Sequence, residues 1–209
     1  MNILITGFGP FGDVADNPSS RVGKALAFNW QEADHVEFVE LPVSYSYVES
    51  NLPTILDQRK WDIVLMLGVA GRSKKIRLER FGRNRIDRSL LGSDGQQYEQ
   101  SVIKREGVPR HKSLAPIDEI ISKMRSEQFA IRKSVDAGQY LCNFSYYLAL
   151  NHAANLQSSR WTLFVHLPPD HDTHAHGGHK VGVLEYENEL SAVRIILQQM
   201  IQMKQNLAE

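Results

Sequence analysis

The chain has 209 residues, of which 42% are hydrophobic and 9% aromatic, and its 24 basic side chains equal its 24 acidic ones in number. This composition is typical of a soluble globular protein, and the length suits one domain with a sizeable core. The balanced charge gives no reason to expect a nucleic acid partner. Because no run approaches the roughly 20 apolar residues of a membrane span, we expect no membrane partner either.

Strands and helices are predicted to alternate over residues 2–68. The predicted strands are residues 2–7, 36–43 and 62–68, of which the first and last are apolar runs that end at glycine. The predicted helices are residues 17–30 and residues 44–60, where Pro53 leaves the continuity open. This order indicates right-handed crossovers onto a mainly parallel sheet. Residues 72–110 are polar, basic and irregular, and we expect them to lie outside the framework.

Regular structure is predicted again in the second half of the chain. Residues 116–125 place their isoleucines and Met124 on one helical face, and residues 142–156 are an apolar segment typical of a buried helix. Strands are predicted at residues 130–135 and 161–167, and a last helix carries an apolar stripe from Leu190 to Ile201. The pattern predicts one three-layer α/β/α domain over residues 1–209, with a mixed, mainly parallel twisted sheet.

Cys142 is the only cysteine in the sequence. A single cysteine excludes an intramolecular disulfide and a zinc site made of several thiolates. The N-terminal segment lacks a basic region and its apolar stretch is broken by glycine, unlike a signal peptide. A reduced thiol in a cytoplasmic protein is therefore the expectation.

Cys142 also begins the predicted buried helix, which follows a predicted turn at Ala137-Gly138. In the first turn of a helix, unpaired N–H groups and the helix dipole favour a thiolate and can bind an oxyanion. The alternative is a buried cysteine that only fills space, which is common for this residue type.

Two more residues are candidates for chemistry with that thiol. His166 ends the apolar strand 163–165, and ligands of open α/β sheets bind beyond the carboxyl ends of strands. Glu79 alternates with apolar neighbours, as on a short strand. The alternatives are a core histidine with a satisfied hydrogen bond, and a surface glutamate paired with a neighbouring arginine.

Four blocks of sequence, in this order, resemble one known family. They are residues 6–12 (TGFGPFG) with Asn17-Pro18-Ser19, residues 68–71 (GVAG) with Glu79-Arg80 and Asn84, residues 137–143 (AGQYLCN), and residues 164–168 (FVHLP). They are similar to the blocks TGFEPFGG…NPS, GQAGGR…ERxxxN, SAGTxxCN and FIHVP of the pyroglutamyl peptidase I family, also called pyrrolidone-carboxylate peptidases. The blocks cover roughly residues 3 to 169, with Cys142 in the nucleophile position.

The resemblance implies a cysteine peptidase that removes N-terminal pyroglutamate and needs no cofactor. It implies a catalytic triad of Cys142 as nucleophile, His166 as base and Glu79 as the residue that orients the histidine. The residues that it implies for substrate binding are Phe8, Phe11, Asn17, Val69 and Gly71. Two aromatic faces suit a flat, uncharged lactam ring, and glycine lets backbone amides approach it. The resemblance also implies a homo-oligomer, a dimer or a tetramer.

The sequence departs from the family pattern near the implied ring pocket. Gly9 replaces the usual glutamate, Val69 the usual glutamine, and Arg72 and Ser73 a glycine and an arginine. These departures leave open a thiol amidohydrolase that acts on another small amide.

Two biased segments favour a different class, a non-catalytic metal-binding or basic interaction protein. Between Arg72 and Arg88 the sequence has eight basic residues against only Glu79 and Asp87, but few aromatic residues for stacking on RNA. A loop contains a cluster of possible metal ligands, which are Asp170, His171, Asp172, His174, His176 and His179. We expect the basic run to be a solvated loop or a subunit contact, and the histidine loop to have no functional metal.

Overall fold

A computed structural model describes residues 1–12, 14, 16–32, 34–169 and 185–207, and within them it contains eight strands and five helices. The strands are β1 (Asn2–Phe8), β2 (His35–Leu41), β3 (Ile63–Val69), β4 (Ile76–Glu79), β5 (Phe81–Arg83), β6 (Arg110–Lys112), β7 (Ile131–Ser134) and β8 (Trp161–Leu167). The helices are α1 (Pro18–Phe28), α2 (Tyr45–Asp57), α3 (Ile117–Ser126), α4 (Leu141–Asn155) and α5 (Tyr186–Asn206).

Six of the strands form one mixed sheet in the order β2-β1-β3-β8-β4-β7. The pairs β1–β2, β1–β3, β3–β8 and β4–β7 are parallel, and β4 runs antiparallel to β8. Strands β5 and β6 form a separate antiparallel pair. The predicted mixed, mainly parallel sheet is confirmed.

Helices cover both faces of this sheet. On β1, Ile3 and Ile5 point to a core shared with α1, α3 and α5, whereas Leu4 points to a second core shared with α2 and α4. Successive side chains of a strand point to opposite faces, so a strand buried on both faces needs an unbroken apolar run. This burial explains the apolar runs of β1, β3 and β8, and the predicted three-layer α/β/α architecture is confirmed.

The expectation that residues 72–110 lie outside the framework is wrong for β4. This strand is hydrogen-bonded between β8 and β7, with Ile76 and Leu78 in the core. Its other two side chains, Arg77 and Glu79, are charged, and β4 is only 4 residues long. The alternation around Glu79 indicated a short strand, but a strand with charges on one face has no apolar run, which is why its place in the main sheet was not expected.

The first helix begins where the sequence predicts. The Oδ1 atom of Asn17 accepts a hydrogen bond from the N–H of Ser19 at 3.0 Å, and Pro18 occupies the first helical position. An asparagine cap followed by proline satisfies the exposed end of the helix without losing an internal hydrogen bond. Pro53 lies inside α2, and the helix continues through it to Asp57.

The last helix, α5, has 21 residues and buries the predicted stripe, which includes Val193, Leu197 and Ile201. Within the described ranges, none of the helices combines the length and the apolar character needed to cross a membrane. The predicted histidine loop, residues 171–179, lies outside the described residues.

Gly7 lets the start of α1 pack directly against β1. A Cβ atom added at Gly7 would lie 2.4 Å from the carbonyl oxygen of Ser19, which is a backbone atom. We therefore expect Gly7→Ala to lower the free energy of unfolding by about 1–3 kcal/mol in denaturant titration.

The matched control is Gly71→Ala, because a Cβ atom at Gly71 would have no neighbour within 4 Å. Equal stability of the two variants would show that the packing of α1 against β1 tolerates the extra methyl group.

Candidate active site

A buried hydrogen bond joins Glu79, the last residue of β4, to His166 near the end of β8. The Nδ1 atom of His166 lies 2.9 Å from Oε1 of Glu79, and the two side chains are 5% and 0% exposed. An ionised carboxylate only accepts hydrogen bonds, so Nδ1 is the donor and carries the proton. The lone pair of the neutral ring is therefore on Nε2, where it can act as a base.

Cys142 is the second residue of α4, and its thiol lies over β3, the strand that pairs with the strand of His166. A Cβ atom at Gly68 would come within 3.0 Å of Sγ of Cys142. Gly68 is also the register partner of His166 on the neighbouring strand β8. The absence of a side chain at Gly68 therefore lets the thiol settle on the sheet next to the imidazole.

Burial acts against charge on both the thiol and the imidazole. Burial, followed by the negative charge of Glu79, raises the pKa of Cys142 to about 12. Burial also lowers the pKa of His166, although the hydrogen bond and the charge of Glu79 act in the opposite direction. The helix N-terminus was expected to favour the thiolate, but burial and the carboxylate outweigh it in this state.

The first turn of α4 presents backbone N–H groups to the site. Its cap residue, Tyr140, is extended and makes no side-chain hydrogen bond to the turn. Asn143 fixes the helix end: its side chain accepts from the N–H of Arg83 and donates to the carbonyl oxygens of Arg83 and Arg85. The N–H groups of this turn are thus held in place to stabilise negative charge on a substrate oxygen.

A largely apolar pocket opens beside the thiol and contains about 340 Å³ of empty space, part of it open to solvent. Four of the residues that the resemblance implies, besides Cys142 itself, line it: Phe8, Phe11, Asn17 and Val69. The residues that the sequence analysis did not name are Val43, Tyr140 and Leu141. Tyr140 and Leu141 belong to the AGQYLCN block, and Val43 follows β2, so position at a strand end was a signal for it.

Asn17 organises the pocket wall. Its side chain donates to the carbonyl oxygen of Gly9 at 3.0 Å and accepts from the hydroxyl of Ser19 at 2.8 Å. The same hydroxyl accepts from the N–H of Phe8 at 3.0 Å. Asn17 therefore ties the loop that follows β1 to the start of α1 and so fixes the phenylalanines.

The structure separates the remaining residues implied for substrate binding. Val69, the last residue of β3, presents an apolar side chain to the pocket, whereas Gly71 lies in the exposed turn that follows. Gly9 stands beside the carboxylate of Glu40, which lies 3.0 Å from the position of an added Cβ atom and accepts from the hydroxyl of Ser20. Glu40 thus occupies the space that a longer side chain at residue 9 would need.

Arg77 is a charged residue of the site that the sequence analysis missed. Its Nη2 atom lies 2.8 Å from Oε1 of Glu79, the same oxygen that His166 contacts. The available signal was the spacing: residues 77 and 79 of one strand must point to the same face.

Much of the basic run has partners within the chain. Arg77 pairs with Glu79, and Arg83 and Arg85 both pair with Asp136. The guanidinium of Arg80 lies 5.8 Å from the ring centre of Phe81. These contacts show that the run helps to hold β4 and β5 in place. Among the residues that the structure describes, His, Cys, Asp and Glu side chains form no group of three that could hold a metal ion.

Comparisons with known proteins identify the family of this chain. The family model described as pyroglutamyl peptidase matches residues 1–203. The pyrrolidone-carboxylate peptidase of Pyrococcus furiosus is 31% identical over 201 residues, which cover 95% of this chain and 97% of that protein. Pyrrolidone-carboxylate peptidase 2 of Caldanaerobacter subterraneus is 34% identical over 168 residues, or 80% of this chain and 81% of that protein.

Among solved structures, the pyrrolidone carboxyl peptidase of Fervidobacterium islandicum superposes with a TM-score of 0.90 at 32% identity. The superposition covers 97% of this chain and 99% of that one. The chain therefore belongs to the pyroglutamyl peptidase family.

Proposed function

We propose that this protein is a cysteine peptidase that removes N-terminal pyroglutamate from peptides through Cys142, His166 and Glu79. One arrangement carries the proposal: the Cys142 thiol lies over Gly68, whose register partner His166 is hydrogen-bonded to Glu79, and the same thiol lines an apolar pocket. The proposal treats residues 1–209 as one cytoplasmic peptidase domain. Assembly into a homo-oligomer, a dimer or a tetramer, remains a prediction from the resemblance.

In the first step the thiol transfers its proton to Nε2 of His166 while sulfur attacks a carbonyl carbon of the pyroglutamyl residue. The carbon attacked is the one in the peptide bond, not the one in the lactam ring. Because burial disfavours charge on both groups, we expect the proton to move from sulfur to nitrogen as the attack on carbon proceeds. Glu79 accepts the hydrogen bond from Nδ1 and stabilises the imidazolium. The N–H groups of the first turn of α4 stabilise the oxyanion.

In the second step the bond between the carbonyl carbon and the peptide nitrogen breaks. His166 returns its proton to the departing amine, and the pyroglutamyl group remains as a thioester on Cys142. Water then attacks the thioester with His166 as the base, which releases pyroglutamic acid and restores the thiol.

Recognition of the lactam ring rests on shape and apolar contact. The ring is flat, small and uncharged, and the pocket offers the faces of Phe8 and Phe11 with Val43 and Val69 beside them. The apolar Val69 in place of a glutamine also supports a second candidate, a thiol amidohydrolase that acts on another small amide. A panel of acyl amides that differ only in the acyl group separates these two functions.

A non-catalytic role is tested without any substrate. Alkylation of Cys142 by iodoacetamide should slow in His166→Ala if the thiol has that histidine as its base, whereas a cysteine that only fills space should react at the same slow rate in both proteins. The partners found for Arg77, Arg83 and Arg85 within the chain weigh against a surface whose purpose is to bind an anionic macromolecule.

Substitutions in the triad should abolish turnover and leave the fold intact. We expect Cys142→Ser and His166→Ala each to lower kcat for a chromogenic pyroglutamyl amide by at least about 1,000-fold, because the residues act as a unit. Glu79→Gln should retain measurable activity, since an amide oxygen can still accept from Nδ1. Circular dichroism checks the fold, and turnover near the wild-type rate by Cys142→Ser would refute the mechanism.

The two phenylalanines should differ in what they contribute. Phe11 is only partly buried at the edge of the second core, so Phe11→Ala is expected to weaken substrate binding by about 1–3 kcal/mol and to change stability little. Phe8 is 5% exposed and belongs to that core, so Phe8→Ala should weaken binding and also lower the melting temperature. Michaelis constants and thermal unfolding give both quantities, and an unchanged Michaelis constant for Phe11→Ala would remove it from the pocket.

Activity should not depend on a metal ion. The proposed nucleophile is a thiol activated by a base, so activity in a thiol reductant should survive exhaustive chelation, while added Zn²⁺ should inhibit by capturing the thiolate. Activity that disappears on chelation and returns only with Zn²⁺ or Mn²⁺ would instead give the chemistry to a metal, with the histidines between residues 171 and 179 as the first ligands to replace.

A further inference from the structure

Arg77 is placed to act on the Glu79–His166 pair without touching the pocket. It stands directly opposite His166 in the antiparallel β4–β8 ladder, and Glu79 follows two residues later on the same face. Side chains directly opposite each other on such a ladder are close neighbours, and diagonal ones are within reach of long side chains. The sheet register alone therefore brings a cation, an anion and an imidazole together.

The guanidinium is held in this position by three partners. Nη2 of Arg77 donates to the hydroxyl of Ser134 at 3.0 Å and to the carbonyl oxygen of Asp136, and it forms an ion pair with Oε1 of Glu79 at 2.8 Å. The side chain is 19% exposed, so solvent screens it only in part. These bonds fix both the position and the direction of the charge.

The positive charge of Arg77 and the negative charge of Glu79 balance each other. The carboxylate of Glu79 has no exposed surface, and its Oε2 atom has no hydrogen-bond partner among the described residues. An ionised carboxylate at such a site is stable only when it is paired, and a neutral histidine does not supply a positive charge. With Arg77 the resting site has no net charge, and it keeps none when the thiol passes its proton to His166.

We propose that Arg77 is a positioning residue that orients the Glu79 carboxylate for His166 and balances its negative charge beside the thiol–imidazole pair. This inference rests on the proposed function of Cys142, His166 and Glu79. Nothing places Arg77 in contact with substrate, so its effect is expected on kcat and on pH dependence rather than on the Michaelis constant.

The electrostatics of the thiol and the ring agree with this role. Burial and Glu79 raise the pKa of Cys142, and the charge of Arg77 lowers it. The charge of Arg77 also adds to the effect of burial in lowering the pKa of His166, against the hydrogen bond to Glu79. Removal of this cation should therefore raise the pKa of both Cys142 and His166, so that these groups release their protons at higher pH.

Among the described residues, the other ionisable side chains around the Glu79–His166 pair bond elsewhere. Arg77 is therefore the cation nearest to the Glu79 carboxylate. From α4, the hydroxyl of Tyr146 donates to the backbone carbonyl oxygen of Glu79 at 2.7 Å and does not meet the carboxylate. From the segment after β7, the carboxylate of Asp136 is 2.6 Å from Arg85 and 3.8 Å from Arg83. Tyr140, in the cap of α4, donates its hydroxyl proton to the carbonyl oxygen of Leu91.

The test is the pH profile of kcat/KM for Arg77→Met beside a matched control. We expect the acidic limb to move up by about half a unit to one unit, because loss of a nearby cation makes the coupled groups bind protons more tightly. The control is Arg132→Met, which removes a cation from the exposed register partner of Arg77 on β7 and should leave the limb in place. Arg77→Lys keeps the charge and should keep the limb near its wild-type position, with a lower kcat.

A second comparison asks whether Arg77 acts through Glu79 and also covers a variant that does not fold. In the double variant Arg77→Met/Glu79→Gln neither side chain is left as an unpaired charge, so it should fold even where the single arginine variant does not. We expect its kcat/KM to lie within about threefold of Glu79→Gln alone. An unmoved limb in Arg77→Met, or a large further loss in the double variant, would show that Arg77 only stabilises β4.

Failure of this inference can be told apart from failure of the proposed function. The alkylation rate of Cys142 by iodoacetamide, measured against pH in the same variants, needs no substrate. If the wild type cleaves no pyroglutamyl amide, the proposed function fails, and the alkylation profile still decides on Arg77. A profile that shifts to higher pH in Arg77→Met but not in Arg132→Met supports the role, and identical profiles in all three proteins overturn it.

Discussion

A carboxylate buried between two strands is the constraint on which the rest of the site depends. Glu79 has no exposed surface, and its Oε1 atom is shared by His166 and Arg77. Burial of an ionised group costs several kcal/mol unless good hydrogen bonds compensate for it, so the antiparallel register of β4 on β8 is more than a detail of topology. It sets the ring orientation, the tautomer and the local charge together.

The second constraint is the close approach of α4 to the sheet and to β5. Gly68 leaves room for the thiol over β3, and a Cβ atom at Gly82 would lie 2.9 Å from the backbone of Tyr147. Asn143 adds hydrogen bonds to the backbone of Arg83 and Arg85. Because rigid backbone contacts set this distance, the thiol is positioned by the helix as a whole, and substrate binding need not order it first.

The pocket is assembled from segments that differ in how firmly they are fixed. Phe8 ends a central strand, whereas Phe11 lies in the loop that Asn17 fastens to α1. Tyr140 closes another side, and its hydroxyl donates to the carbonyl oxygen of Leu91 at 2.7 Å, which links the pocket to the exposed segment around residue 91. The departures at residues 9, 69, 72 and 73 change these walls and the turn after β3 without touching the thiol, the imidazole or the carboxylate.

The layered α/β architecture could be predicted from the amino-acid sequence alone, because long apolar runs and helical stripes arise from burial that is local to each element. The sequence also singled out Cys142, His166 and Glu79, since four ordered blocks of residues accompany them. Only the tertiary structure decided that β4 belongs to the main sheet, that Arg77 shares an oxygen of Glu79, and that Val43 and Tyr140 line the pocket. These features depend on strand register and on which chain ends meet, and a one-residue change of register would turn Arg77 and Glu79 to the opposite face. The alternation at residues 76–79 indicates a short strand but not its partners, so the place of β4 in the sheet was fixed by the strands that pair with it.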